Sequence, residues 1–483
     1  MAVMVQATER LDSFPYRHRV RAVMGAPARF IAGSATLREA AQQMRALKIG
    51  SLLIDAGDGK PLGIVTERDV LVAVARDGAA ALARPVETFM SSPVTSVPEN
   101  ALLYVAMGRM ERLNFRHLAA VDGAGRATGV VSARALLKLR ASKALALGDA
   151  VATAPDAGAL KAVRDALPAL AQALLEDEVS ALKIAGVISQ ALRDATARAA
   201  ELAETAMAAS GWGGPPAPYA LLVLGSGGRG ESLLAADQDN AIVHAGKDAD
   251  DRWFAELGKR VSDALNAAGV TYCKGGVMAA KPAFRRSSQG WREEIARWIG
   301  KAEGQSLLNV DIFYDFRRVH GAADLADDLR RDALAAASSS PLLLRLLAKN
   351  VEEAGTAIGY FGRLRAENGR VDLKKGGLMP LVAFARVVAL KRGVADTATA
   401  VRLAAAAESG AVPQDETDGL RQAHETLLGY VLEQQLIDIA SGAEPSTRVE
   451  IARLSRGRRA RLKDALRALD GLPMLAQDVL TSS

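Results

Sequence analysis

Residues Tyr219 to His244 read YALLVLGSGGRGESLLAADQDNAIVH. An apolar run, Ala220 to Leu224, ends there in a glycine-rich turn, and two aspartates, Asp237 and Asp239, lead into a second apolar run, Ala241 to Val243. The pattern predicts a strand, a phosphate-accommodating turn, a short helix and a second strand that carries paired carboxylates. Side chains at i and i+2 of a strand share a face, so Asp237 and Asp239 project together with backbones roughly 6 to 7 Å apart, and Gln238 faces away. Two carboxylates so placed can share a divalent ion.

Gly225, Gly227 and Gly230 also satisfy the dinucleotide-binding spacing G-x-G-x-x-G. That fold, however, needs a full crossover helix and an acidic residue about 20 positions on, and only Glu231 to Ala236 separate the last glycine from Asp237. No Gly-Lys-Ser/Thr follows, so the phosphate loop of P-loop enzymes is excluded as well. What remains is Gly-Ser plus Asp-x-Asp: Gly225 and Ser226 offer a backbone amide and a hydroxyl to a triphosphate while the aspartates hold Mg²⁺.

At these residues the chain resembles the polymerase-beta-like nucleotidyltransferases, whose signature is Gly-Ser, a short helix and Asp-x-Asp. GSGGRGESLLAADQDNAIV is similar in particular to the CBS-domain-linked nucleotidyltransferases, relatives of the PII-protein uridylyltransferases. The resemblance implies Mg²⁺ or Mn²⁺ as cofactor, a nucleoside triphosphate as substrate and a protein acceptor. It adds Arg229 to Gly225 and Ser226 as a nucleotide-binding residue. It also asks for a third carboxylate on a neighbouring strand, since activating the acceptor hydroxyl and steadying a second ion take more negative charge than a pair supplies. Leu307 to Arg317, LLNVDIFYDFR, reads as that strand. Asp315 matches the family's recurring acid, so the expected catalytic and metal set is Asp237, Asp239 and Asp315, with Asp311 next in line.

Val20 to Arg140 contains an internal repeat. Gly63-Ile-Val-Thr-Glu-Arg-Asp69 is echoed by Gly129-Val-Val-Ser-Ala-Arg-Ala135, and a helix-like segment and a short apolar strand precede each copy. Two copies of one supersecondary unit complete each other's core. The repeat resembles a tandem CBS pair, a module that binds adenine nucleotides. A hydroxyl at the strand end reaches a phosphate, and an aspartate at the start of the next helix accepts from ribose hydroxyls. Thr66 and Asp69 match that pattern; Ser132 is kept in the second copy, where Ala135 replaces the aspartate. At most one AMP or ATP site is expected, at Thr66 and Asp69. The alternative is that Asp69 only favours its helix N-terminus and the pair serves to form a homodimer.

Small residues and a proline make Ser142 to Gly158 a linker, and Ala159 to Ser210 carries apolar residues at helical spacing. Val270 to Cys273 reads as a strand leading into Gly275 and Gly276, which by resemblance lie near the nucleotide and on sequence alone are equally a strand-end turn. Arg285, Arg286, Ser287 and Trp291 follow; exposed basic residues there face solvent or phosphates. From Ala322 to Leu480 the chain is helical by spacing. Asp372-Leu-Lys-Lys-Gly resembles the family's substrate-binding domain, so Lys374 and Lys375 are expected to contact phosphates or an acidic partner, the alternative being a loop with solvated lysines.

The expected architecture is α/β plus all-α: a tandem CBS pair (18–141), a helical linker (157–210), a nucleotidyltransferase core with a mixed sheet (211–321) and a helical C-terminal substrate-binding domain (322–480). The 483 residues, 49% hydrophobic and 24% charged, suit a soluble chain of about three domains. A net charge of +6 is a mild bias that fits anionic ligands such as nucleotides and is weak evidence for nucleic acid, which is not expected as a partner. The basic run Arg453 to Lys463 holds no aromatic residue to stack a base. One cysteine, Cys273, excludes an intrachain disulfide and points to the cytoplasm. The first residues lack the apolar core of a signal peptide, there is no room for a cyclic-nucleotide domain ahead of the repeat, and no apolar stretch approaches a membrane span. Five scattered histidines form no zinc spacing. Two rival functions remain: a catalytically silent nucleotide sensor, and nucleotide transfer to RNA.

Overall fold

The computed structural model describes residues 18–133, 135, 147–300, 310–359 and 362–481. The N-terminal stretch read for a signal peptide lies outside them. The chain divides into two compact units, Met1–Leu145 and Ala146–Ser483. Among the described residues no helix is long and apolar enough to cross a membrane.

The first unit is the repeat made solid. One copy comprises β1 (Phe30–Ile31), α1 (Leu37–Leu47), β2 (Ser51–Asp55), β3 (Pro61–Thr66) and α2 (Glu67–Asp77); the other comprises β4 (Ser96–Pro98), α3 (Leu103–Leu113), β5 (His117–Val121) and β6 (Ala127–Ser132). In both, the middle strand runs parallel to the first and antiparallel to the third. Even the irregularity repeats, with register slips at Ile54/Asp55 and Ala120/Val121. Val20, ahead of β1, is buried in the core of the second copy, and Val86 in that of the first. Each copy is therefore closed by the segment leading into the other. A Cβ on Gly63 would sit 2.4 Å from the Met90 sulfur and one on Gly129 2.8 Å from the Gly25 carbonyl, which is why the repeated strand carries glycine at both places.

The second unit is built on a four-stranded mixed sheet of order β10-β7-β8-β9, formed by β7 (Tyr219–Val223), β8 (Asn240–His244), β9 (Arg285–Ser287) and β10 (Arg317–Gly321). Only β8 and β9 are parallel. Alternation along the strands sends side chains to two cores. Tyr219, Leu221 and Ile242 join one with Trp253, Phe254 and Leu257; Ala220, Leu222, Ala241 and Val243 join the other with Trp291, Phe313 and the C-terminal helices.

The segment expected as a linker arm, α4 (Ala157–Glu176) and α5 (Ala181–Ala209), contributes to both cores. Ahead of it, residues 147–152 are helical rather than a loose linker, with Val151 and Ala154 buried. Beyond the sheet, α11 (Met379–Arg392) is buried on every face from Pro380 to Leu390, as the central helix of a bundle must be. It follows a short π-helical turn, Lys374–Leu378, fed by β11 (Arg370–Asp372), which pairs with β12 (Arg448–Glu450).

Two expected strands are absent from the described residues. In the Leu307 to Arg317 segment, residues 310–313 form a helical turn and the strand begins only at Arg317; the aromatic cluster of Phe313, Trp291 and Trp298 anchors that turn. Residues 270–273 are irregular: the Val270 and Thr271 carbonyls receive Gln238, and the Cys273 carbonyl receives the Gly276 amide of its own turn.

Candidate active site

The ladder between β7 and β8 ends at Val223 opposite Asn240, and the Leu224 amide extends it by donating to the Asp239 carbonyl at 2.9 Å. This register sets Asp239 beside the turn that opens α6 (Gly225–Arg229). Gly225 takes φ +56°, and a Cβ there would lie 2.9 Å from Asp239 Oδ2. A side chain at 225 would therefore be strained in its backbone and would press on the carboxylate.

Asp237 and Asp239 come just before β8 rather than within it. The Gln238 amide nitrogen donates to the Ser262 and Val270 carbonyls, each at 2.9 Å, and the Gln238 backbone amide donates to Thr271. Pinning Gln238 inward turns its neighbours outward. Asp237 is exposed, Asp239 is half-buried, and one donor atom from each lies within 4.8 Å of the other and of the Cys273 sulfur. Asp239 Oδ1 is closed off from solvent with no hydrogen-bond partner. Burial, and then the Asp237 charge, push the Asp239 carboxyl up to about 6, against weaker opposing effects of the Cys273 thiol, Lys374 and Arg229. Burial and the Asp239 charge push the Cys273 thiol up to about 11. Two carboxylates thus stand together with no ion pair to either among the described residues, and the donor set fits a divalent ion.

Asp315 does not join them. It is fully buried and takes ion pairs from Arg229 at 2.7 Å, Arg386 at 2.6 Å and Arg402 at 2.6 Å. Burial alone would raise its carboxyl; the Arg386, Arg402 and Arg229 guanidiniums overcome that and hold it well below the usual carboxylate range. The expectation of a third metal ligand at Asp315 is thus corrected. Asp311 does not replace it, since Arg386 bonds it as well. Arg229 is corrected with them: its guanidinium is spent on Asp315 and on Glu231 at 2.8 Å, so it is not presented to a phosphate. The signal missed in the sequence was Arg386 and Arg402, each about 70 residues or more from the acid they neutralise.

The remaining candidates divide. Ser226 Oγ lies 3.2 Å from Ser232 Oγ. Gly275 and Gly276 form a turn after Cys273, closed by the Gly276 amide on the Cys273 carbonyl, so the glycine pair borders the aspartates. Lys374 and Lys375 are exposed, their amides bound to Asp372. The Lys374 charge acts on Asp239, and no contact links Lys375 to the aspartates. Arg285 is buried and paired with Asp251, and Arg286 pairs with Glu294 beside Trp291; neither reaches the pair. In the first unit Thr66 and Asp69 form a capping box on α2, the Thr66 amide and hydroxyl donating to Asp69 Oδ2 at 2.8 and 2.7 Å. His117 of the other copy approaches Gly50 and feels the charges of Glu67 and Asp69. Where Ala135 stands in the second copy, only the Ser132 half of the box survives.

Three family models match the chain. Residues 165–305 match the family described as "Putative nucleotidyltransferase DUF294", residues 341–478 match the substrate-binding domain of the same nucleotidyltransferases, and residues 20–76 and 86–142 each match the CBS domain. The matched segments together make up the domain set of a CBS-domain-linked nucleotidyltransferase. An uncharacterized 17.7 kDa protein of Acidianus ambivalens is 35% identical over 104 residues, 21% of this chain and 61% of its own length. An uncharacterized protein of Methanopyrus kandleri is 33% identical over 104 residues, 22% of this chain and 53% of its own. The chain therefore spans less than two thirds of either relative. Among solved structures, a CBS-domain protein of Agrobacterium tumefaciens is 32% identical, covering 25% of this chain and 98% of its own at a TM-score of 0.24. A CBS-domain protein of Pyrobaculum aerophilum complexed with AMP is 31% identical, covering 26% and 98% at a TM-score of 0.23.

Proposed function

We propose that the second unit binds a nucleoside triphosphate with a divalent cation at Asp237 and Asp239 and transfers its nucleotidyl group, uridylyl or adenylyl, to a protein acceptor. The observation that carries this reading is the uncompensated Asp237 and Asp239 pair beside the Gly225 turn, with a buried carboxylate oxygen that has no partner. When bound, Mg²⁺ or Mn²⁺ would neutralise triphosphate oxygens and make the α-phosphorus easier to attack. The chain's own contribution is to hold two carboxylates at fixed separation, to present the Gly225 amide and the Ser226 hydroxyl along the turn, and to bring the Lys374 charge from the helical region. The turn at Gly275 and Gly276 would border the bound ligand, and a Cβ on Gly276 would meet nothing within 4 Å.

The first unit would bind AMP or ATP at Thr66 and Asp69, tune the transfer accordingly, and join two copies of the chain. Asp69 would exchange its capping bonds for ribose hydroxyls, and His117 would close the site from the second copy. A reducing cytoplasm suits the free thiol of Cys273.

The locked Asp315 favours a second reading, nucleotide binding without transfer, because no other described carboxylate stands with the pair. RNA is disfavoured as acceptor, since Arg453 and Arg458 of the terminal basic run are engaged by Glu450 and Glu433. Incubation of the full chain with each labelled triphosphate, Mg²⁺ or Mn²⁺ and candidate acceptor proteins decides between the first two. Metal-dependent pyrophosphate release with label on a protein supports transfer, and tight triphosphate binding without release supports the sensor.

A further inference from the structure

Two carboxylates seldom satisfy a divalent ion alone, and the acid expected to complete the set is bound to three arginines. The third donor beside the pair is sulfur. The Cys273 Sγ lies within 4.8 Å of a carboxylate oxygen of both Asp237 and Asp239, near the limit that one ion with bonds of roughly 2.0–2.5 Å spans. The side chain is held for that position. The Gly276 amide closes the turn on the Cys273 carbonyl at 3.0 Å. Independently, Asp239 Oδ1 is sealed from solvent with no hydrogen-bond partner.

We propose that Cys273 is the third protein ligand of the cation held by Asp237 and Asp239, making a mixed oxygen and sulfur centre that prefers Co²⁺ or Cd²⁺ to Mg²⁺. The proposal rests on reading the aspartate pair as a cation site and adds what kind of cation it selects. Hard Mg²⁺ is served by oxygen donors, whereas a thiolate raises affinity for softer ions. On binding, the Sγ–H bond breaks, the proton passes to the buffer, and the sulfur electron pair forms the bond to the ion.

Cys273 is the only cysteine of the 483 residues, so any sulfur-to-metal charge-transfer band in the ultraviolet belongs to it. Titration of the full chain with Cd²⁺ is expected to produce that band, with calorimetry on the same samples. Cys273→Ser abolishes the band and weakens Cd²⁺ binding by roughly tenfold or more, while Mg²⁺ affinity changes by less than about twofold. Asp239→Asn removes the band too. A band that persists in Asp239→Asn overturns the proposal, because the thiol then binds metal on its own. Calorimetric Cd²⁺ binding that depends on Asp239 but gives no band also overturns it, while leaving the aspartate pair as a cation site. No binding of either ion overturns the pair itself.

Discussion

Asp239 and Asp315 are carboxylates packed against the two ends of one five-residue helix, and their surroundings are opposite. Asp239 lies against Gly225 at the start of α6, with Asp237 and a thiol for neighbours and one oxygen unpaired. The Asp315 carbonyl lies against Gly228, where a Cβ would come within 1.7 Å, and its carboxylate is shared by three guanidiniums. A buried charge that the protein neutralises itself is part of the scaffold. One that it leaves without an ion pair is where the proposed cation would bind. On that proposal the surroundings tell the two acids apart more sharply than their motifs do.

The comparison breaks first, and by the largest margin, at Asp315. Asp315→Asn leaves three guanidiniums around a neutral amide and should cost about 3 to 5 kcal/mol in urea unfolding. Asp239→Asn, in contrast, should leave the melting temperature unchanged or higher while abolishing divalent-ion binding and any transfer. Equal destabilisation by both substitutions would erase the distinction drawn here.

Acidity sharpens it next. The Asp239 carboxyl is raised to about 6, so its ionised form opposes folding. Without metal, stability should fall as pH rises from about 4 through 6 on this account, and Mn²⁺ should restore it with an affinity that grows over the same interval. Asp315 has the reverse sign: its carboxyl is lowered, so its contribution is fully present above the ordinary aspartate range and is lost only at strongly acid pH. Thermal melts in EDTA and in Mn²⁺ across this range test both.

Gly225→Ala should follow with a loss of about 1 to 2 kcal/mol from its positive φ and weaker Mn²⁺ binding, because the new methyl group meets Asp239 Oδ2. The smallest effect is expected at Asp69→Ala. Loss of the capping box should cost roughly 1 kcal/mol and lower AMP or ATP affinity, measured by calorimetry on the full chain; unchanged affinity would reduce Asp69 to a helix cap.

Much of this was legible in the sequence because local spacing carries it. The repeat of Gly63 to Asp69 at Gly129 to Ala135 defined the two-copy unit and its asymmetry, and the run from Tyr219 to His244 showed a strand, a turn and a following strand, although it put the aspartates on that strand and not just ahead of it. Glycine positions were legible only as part of their motifs: Gly225 answers to the nearby Asp239, whereas Gly63 answers to Met90 and Gly129 to Gly25, contacts that the fold brings together. Tertiary structure alone decided which acid belonged to the site. Asp315 sits in a favourable motif, but its charge is cancelled by Arg386 and Arg402, brought from the helical region by packing around α11 and α12 (Thr399–Glu408). Equally, nothing in the spacing of Cys273 places it beside Asp239; the irregular chain from Val270 to Ala279, stitched to Gln238 and Asn240, does so. Sequence periodicity reports on neighbours along the chain, whereas electrostatic compensation depends on charges that only the folded core brings within reach.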